Sequence, residues 1–460
     1  MNATPKALRL HIGLFGRTNT GKSSLLNLIT GQDFAIVSDK AGTTTDVVRK
    51  SMELLPLGPV TFLDTAGVDD GSDLGSLRTG KTREALASAD VAILVTEPNA
   101  WTPYEEELAA ACAAQKTPII IAVNKTDLAK PEEGWLAGLA RITPHVMTSS
   151  CAGPDFAIAD NPGEAEKGAV SGAASREARR EASREARRNA TLLELKRLLL
   201  AACPEDFLNP PAILGDLLPS GAGLPVVVLI VPIDLQAPKG RLILPQVQAI
   251  RDALDSDAAV AVVKEREYRA FLDRLASPPE LVVCDSQIAL KMAADTPEGI
   301  PATTFSILFS RFKGDIVAMA EGAAALERLG PGNRVLVAEA CTHHALEDDI
   351  GRVKIPRWIR QYTGADVEIT HACGKDYPED LAGYDLVVHC GACSLTRREM
   401  LWRIERARAA GVAVTNYGMA ISALQGVIER TLSPFPAALE AYRERLAEGA
   451  PAEPATGRRR

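Results

Sequence analysis

The run Gly16-Arg17-Thr18-Asn19-Thr20-Gly21-Lys22-Ser23 matches the phosphate-loop spacing GxxxxGK[ST]. Glycines at such positions let backbone N–H groups turn inward around phosphate oxygens, and the helix that must follow presents its positive end to the same charge. Lys22 is placed for the β- and γ-phosphates and the Ser23 hydroxyl for magnesium, while Asn19, Thr20, Gly21 and Ser24 complete the wrap. Asp64, which opens Asp64-Thr65-Ala66-Gly67, has the position of a carboxylate holding the magnesium shell, with the Gly67 N–H sensing the γ-phosphate. Gly42-Thr43-Thr44-Thr45-Asp46 fits a first switch segment in which Thr44 binds magnesium, so Lys22, Thr44, Asp64 and Gly67 form the candidate hydrolytic set. Asn124-Lys125-Thr126-Asp127 selects the base, because a carboxylate at Asp127 accepts two N–H groups of guanine, a donor pattern that adenine lacks. Ser150-Cys151-Ala152 stands where a further base-contacting loop is expected, in altered form. The order and number of these motifs point to a GTP-binding hydrolase.

A second constellation lies far down the chain. Four of the six histidines and four of the eight cysteines fall between residues 341 and 393. They include Cys341-Thr342-His343-His344 and His389-Cys390-Gly391-Ala392-Cys393. Each group should follow a strand, near 335–338 and 386–388, and parallel strands open at their C-terminal ends, so the two loops can meet in one crevice. Three thiolates, Cys341, Cys390 and Cys393, suit an iron–sulfur cube that keeps one iron for another ligand. Zinc and a redox pair are the alternatives for the Cys-x-x-Cys pair, and either histidine can instead act as a polar neighbour of the ligands. Cys112, Cys151, Cys203 and Cys284 stand singly among apolar residues and read as core. Cys373 is left outside the ligand set because its spacing suits no shared loop.

Strands must position the first site at 9–15, 60–63, 91–95 and 119–123, with helices between them beginning at 23–29. This alternation predicts a mostly parallel sheet covered on both faces, an α/β fold with an N-terminal phosphate-loop GTPase domain over residues 1–203. Within it, residues 153–190 are poor in large apolar side chains and hold a tandem repeat, SREARREA at 175–182 and SREARRNA at 183–190. Strong helix formers with mixed charge describe a solvated helical arm, and residues 192–203 an amphipathic helix closing the domain. A proline-rich linker leads to a small α/β dimerisation module, 204–275, with strands at 225–231 and 258–263 and a helix at 246–254. Self-association through the apolar strand 225–231 would cover it. Residues 276–440 form a C-terminal parallel α/β cluster-binding domain with strands at 281–284, 334–337, 367–369, 385–389 and 412–415, and 441–460 a disordered tail.

The bulk composition, 46% apolar and 24% charged with a net charge of −8, is that of a folded globular chain of several domains. An acidic balance gives no general attraction to nucleic acid or anionic membrane. The apolar stretch 224–233 is half a membrane span and holds two prolines, and the N-terminus reads straight into a strand without a signal-like segment. A cytoplasmic protein with reduced thiols is therefore expected.

The first 200 residues resemble the potassium-stimulated branch of the translation-factor-related GTPases. In that branch an asparagine of the phosphate loop helps to hold potassium, and Asn19 stands in that place. Val68 follows the Asp64–Gly67 motif where other switches carry a water-orienting glutamine, so slow intrinsic hydrolysis is expected. An RNA-acting GTPase or a zinc-stabilised GTPase is the alternative reading. With Cys341-x-His343 and, 46 positions later, His389-Cys390-x-x-Cys393, nearly the whole chain resembles the FeFe-hydrogenase maturation GTPases (the HydF family). The resemblance implies a homodimer through the central module and a 4Fe–4S cluster on Cys341, Cys390 and Cys393, with His343, His389 and Asp348 as candidates for the fourth position. It also implies a scaffold and carrier role. A transient di-iron precursor is taken from radical-SAM maturases and passed to apo-FeFe-hydrogenase.

Overall fold

Apolar runs bounded by turns set the first sheet: β1 (Leu10–Phe15) is buried at all six positions, and β4 (Val91–Thr96) likewise. The computed structural model describes residues 8–30, 48–64, 80–148, 172–233 except 220 and 222, 240–340, and 349–449 except 375 and 379. The chain divides into two compact units, residues 1–210 and 211–460. In the first, α1 (Lys22–Thr30) follows β1, then come the antiparallel pair β2 (Val48–Leu54) and β3 (Gly58–Asp64), α2 (Gly80–Ser88), β4, α3 (Pro103–Ala114), β5 (Ile119–Val123), α4 (Glu133–Ile142) and β6 (His145–Met147). The sheet order is β2-β3-β1-β4-β5-β6, parallel except at β2. The expected strands are all present; β2 and β6, polar and short, are additions.

Helix α5 (Gly172–Ala202) is followed by the short α6 (Glu205–Leu208). The charged repeat and the closing amphipathic segment are thus one continuous helix. Its last turns place Leu195, Leu198 and Leu199 in the core with Leu25, Leu26, Ile120 and Val146, while the described repeat residues, among them Glu185, Arg188 and Asn189, are exposed. Each such leucine removed from water contributes about 2 kcal/mol.

The second unit contains two parallel four-stranded sheets. The first comprises β7 (Val226–Ile230), α7 (Leu244–Asp255), β8 (Ala259–Val263), α8 (Tyr268–Leu272), β9 (Leu281–Cys284), α9 (Ala289–Asp295), β10 (Ala302–Thr304) and α10 (Phe305–Lys313), in strand order β10-β9-β7-β8. Two expectations are corrected here. Strand 281–284, assigned to the C-terminal domain, pairs with β7 in the middle sheet, because Leu281, Val282, Val283 and Cys284 are all fully buried and need neighbours on both sides. And β7 is internal, flanked by β8 and β9, so self-association through it is ruled out; β8 is the thinly covered edge, with Val262 46% exposed.

The last sheet is built from α11 (Ile316–Ala323), β11 (Arg334–Glu339), α12 (Ile355–Thr363), β12 (Glu368–Cys373), β13 (Leu386–His389), α13 (Arg397–Ala409), β14 (Ala413–Asn416), α14 (Tyr417–Leu424), α15 (Ile428–Thr431) and α16 (Pro436–Gly449). Its order is β12-β11-β13-β14, and all pairs are parallel. Helix α16 runs through 441–449, which the sequence reading gave to a disordered tail; Phe435, Ala438 and Tyr442 recur at helical spacing and are buried. Among the described residues no helix is long and apolar enough to cross a membrane.

Candidate nucleotide and thiolate sites

The phosphate loop leaves the central strand β1 and enters α1, and the described motifs of the first site sit at the C-terminal ends of parallel strands: Gly16 after β1, Asp64 at the end of β3, Asn124 after β5. Gly16 has φ +145°, and a Cβ there would lie 2.3 Å from the Val95 carbonyl oxygen, which explains the glycine. Asn19 adopts φ +64°, a left-handed conformation that asparagine tolerates. The Lys22 ammonium is buried and donates to the carbonyls of Gly16 (2.5 Å) and Arg17 (2.9 Å), holding the loop closed upon itself. Asn124 donates from Nδ2 to the Thr20 carbonyl (2.8 Å) and accepts from Thr148 Oγ1 (3.0 Å), tying the base-selecting segment to the phosphate loop. Lys125, at φ +60°, pairs with Glu97, and Thr126 Oγ1 donates to the Thr148 carbonyl.

Asp127 Oδ1 is buried with no hydrogen-bond partner among the described residues. A buried acceptor left unsatisfied is costly, and a ligand bearing paired N–H donors removes that cost. Two supports were not legible beforehand: Tyr104 Oη accepts from the Gly16 N–H (3.2 Å), and the fully buried Glu105 accepts from Arg17 Nε (2.8 Å). Helix α3 thereby braces the phosphate loop through two contacts some 90 residues apart in sequence, a spacing that no local pattern records. Thr44, Gly67, Ser150 and Cys151 lie outside the described residues.

In the second unit the cysteine loops occupy neighbouring strand ends. Strands β11 and β13 are paired, with Ala338 opposite His389, and the Cys390 N–H donates to the Ala338 carbonyl (2.9 Å). The Ala340 N–H in turn donates to Cys390 Sγ (3.1 Å), so the strand that leads to Cys341 ends on the thiol of the Cys-x-x-Cys loop. Ala392, at φ +52°, turns the backbone of that loop between Cys390 and Cys393. Burial pushes the Cys393 thiol up, while its own N–H, the Lys313 ammonium and the Ser394 N–H pull it down. N–H groups and a cation directed at sulfur are what a metal-bound, negatively charged sulfur requires. Cys341, His343 and Asp348 lie outside the described residues, and among the described ones no three His, Cys, Asp or Glu side chains group as a metal site. The two described thiols with their N–H donors therefore fit part of a cluster site.

His389 is fully buried at the end of β13. Its Nε2 lies 3.0 Å from Arg403 Nη1, which can only donate, so Nδ1 carries the proton and donates to the Cys390 carbonyl (3.0 Å). Burial, reinforced by the Arg403 charge, lowers its pKa to about 3, and the ring is neutral. Both ring nitrogens are thus committed to holding the loop. Arg403, itself buried and stacked on Tyr377, also donates to the Gly374 carbonyl (2.8 Å).

The end of β12 brings in Cys373, opposite Glu339 in the sheet register. Its thiol donates to Glu339 Oε2 (3.3 Å) and accepts from Arg352 Nη2 (3.0 Å), and Tyr417 Oη donates to Glu339 Oε1 (3.3 Å). Burial raises the Cys373 thiol, Glu339 adds to the rise and Arg352 opposes it. Tyr417 is raised well above the ordinary phenol, first by burial and then by Cys390 and Glu339. Sequence spacing set Cys373 aside; only the adjacency of β12 and β11 brings it to the same sheet edge as Cys390.

Comparison with known families gives three matches in chain order. Residues 11–125 match the 50S ribosome-binding GTPase family, residues 213–314 the hydrogen maturase F dimerization domain, and residues 317–434 the hydrogen maturase F tetramerization domain. The tRNA modification GTPase MnmE of Synechococcus sp. (strain CC9605) is 42% identical over 121 residues, 26% of each chain. That of Halorhodospira halophila is 39% identical over 139 residues, 30% of this chain and 29% of the relative. The chain thus spans only about a quarter to a third of the curated relatives it matches, within the GTPase domain. The G domain of the T. maritima FeoB iron transporter aligns at 23% identity and a TM-score of 0.24, over 31% of this chain and 88% of that one.

Proposed function

Because the chain belongs to the hydrogen maturase F family, with a GTPase domain ahead of that family's dimerization and tetramerization domains, we propose that it is a nucleotide-gated scaffold and carrier for the di-iron precursor of the FeFe-hydrogenase active site. It is a hydrogenase maturation GTPase and it self-associates through the two named domains. In our reading Lys22 and the loop N–H groups hold the phosphates, Ser23, Asp64 and Thr44 hold magnesium, Asn19 a potassium ion, and Asp127 the guanine edge. Val68 cannot orient the attacking water, so hydrolysis is slow, and potassium supplies part of the positive charge around the phosphates.

In the C-terminal domain Cys341, Cys390 and Cys393 would hold a 4Fe–4S cluster. The cluster, when bound, supplies an iron with an exchangeable coordination position. The observation that carries this reading is the 3.1 Å contact from the Ala340 N–H to Cys390 Sγ, which sets the residue before Cys341 against the partner loop. His389, with both ring nitrogens engaged, belongs behind the ligands and not among them, which leaves His343 and Asp348 for the fourth position. Radical-SAM maturases and apo-FeFe-hydrogenase are the partners this role requires.

Anaerobic purification with metal and sulfide analysis tests the cluster. Iron and sulfide near four per chain, lost in Cys341→Ala, is the expected result; zinc without sulfide would sink the reading and leave a zinc-stabilised GTPase.

A further inference from the structure

Lys313 closes α10 within the segment matched to the dimerization domain, yet it is only 2% exposed. Lysine head groups are rarely so deep, because the amine gives up its hydration. Its Nζ donates to the Leu395 carbonyl (3.1 Å), two residues beyond Cys393, which fixes the ammonium on the cysteine loop. The placement is held from both sides. Arg397, just after the cysteine loop, donates from Nη1 to the carbonyls of Arg311 (3.1 Å), Phe312 (2.8 Å) and Gly314 (3.2 Å). Near the other end of α10, Asn416 Nδ2 donates to the Ser306 carbonyl (2.7 Å) and the Gly418 N–H to Ser306 Oγ (3.1 Å). The cysteine loop and the end of α10 therefore form one braced unit, with the ammonium fixed inside it.

Charges in surroundings that exclude water interact several-fold more strongly than in bulk water. The reduction potential of a protein-bound iron–sulfur group follows its net charge, the hydrogen bonds to its sulfurs and its exposure. We propose that Lys313 is a positioning residue for the thiolate site, its buried ammonium, bound to the loop that carries Cys393, stabilising the added negative charge of a reduced cluster and so holding the reduction potential up. This rests on the cluster reading above. It also means that the dimerization module contributes a charged group to the electrostatics of the neighbouring domain's metal site.

The experiment is a potentiometric titration of the full-length protein after anaerobic cluster reconstitution, followed by electron paramagnetic resonance of the reduced form, for wild type, Lys313→Met and Lys313→Arg. Removing the charge in Lys313→Met should raise the oxidised-to-reduced ratio at a fixed potential at least tenfold, about 59 mV lower for a one-electron couple. Lys313→Arg, which keeps the charge, should stay within threefold of wild type. Loss of loading in Lys313→Met with full loading in Lys313→Arg likewise supports the proposal. Equal midpoints in wild type and Lys313→Met overturn it, as does an equal shift or an equal loss of cluster in both variants, because either marks a packing role. A wild-type protein that takes up no iron and sulfide overturns instead the cluster reading on which the proposal stands.

Discussion

Asp127 carries a buried carboxylate oxygen without a partner among the described residues, and Gly16 has a backbone that no side chain can share. Both make direct predictions. Asp127→Asn replaces an acceptor with a donor, so GTP affinity should fall about a hundredfold, or ~3 kcal/mol, while xanthosine triphosphate, whose edge offers a carbonyl, should gain. Titration with the two fluorescent nucleotides measures it; unchanged preference would place the base elsewhere. Gly16→Ala pushes a methyl into the Val95 carbonyl at positive φ, a strain of ~1–3 kcal/mol or more that should abolish nucleotide binding while the second unit stays folded. The cysteines divide in the same way. Burial, with the Asp90 charge adding, raises Cys203 to about 12, and Cys284 is raised well above 9 by complete burial. At pH 8.5 the metal-free protein should therefore be alkylated at Cys203 about a thousandfold more slowly than at an ordinary exposed thiol, read by mass spectrometry of the peptides.

Among the elements, α5 shows how a single helix can serve two environments. Its repeat half is charged and its described side chains are exposed, while its last turns bury Leu195, Leu198 and Leu199 against β5, β6 and α1. Leu199→Ala should cost ~2–5 kcal/mol of the first unit's stability, whereas replacing exposed Arg188 with Ala should stay within ~0.5 kcal/mol. Denaturant titration of the two variants separates these cases. Periodicity had made both halves of this helix legible, but it could not show that they are continuous, because the stretch is read as two patterns of different hydrophobicity. The β9 strand failed for the opposite reason. Its Leu281–Cys284 run signals burial but says nothing about which sheet buries it, and the structure spends it beside β7.

At the scale of the whole molecule, a GTPase domain precedes two domains whose family descriptions name dimerization and tetramerization. Gating of partners by nucleotide requires that GTP bind two conformations unequally. Partner dissociation should accordingly change when GTP replaces GDP, and identical off-rates in a biosensor assay would remove the switch. If Asn19 helps to hold potassium, single-turnover hydrolysis should run at least about tenfold faster in potassium than in sodium at equal ionic strength, the larger ion completing the positive surroundings of the phosphates. Equal rates would return Asn19 to the role of a turn residue, which its φ of +64° already satisfies.

The sequence by itself determined the placement that depends on local order: the phosphate loop, the Asn124–Asp127 motif and the Cys390–Cys393 pair each follow a strand, and Asp64 ends one. It determined these because a turn from strand to helix needs particular residues within a few positions of one another, and such needs leave a pattern. Only the tertiary structure decided which strand lies beside which, and with that the bracing of Gly16 by Tyr104, the engagement of His389 by Arg403, the arrival of Cys373 opposite Glu339, and the reach of Lys313 to the cysteine loop. Contacts of this kind join residues from 14 to 88 positions apart through burial and strand order. Nothing at either end of such a contact constrains its neighbours in the chain, so no spacing announces it.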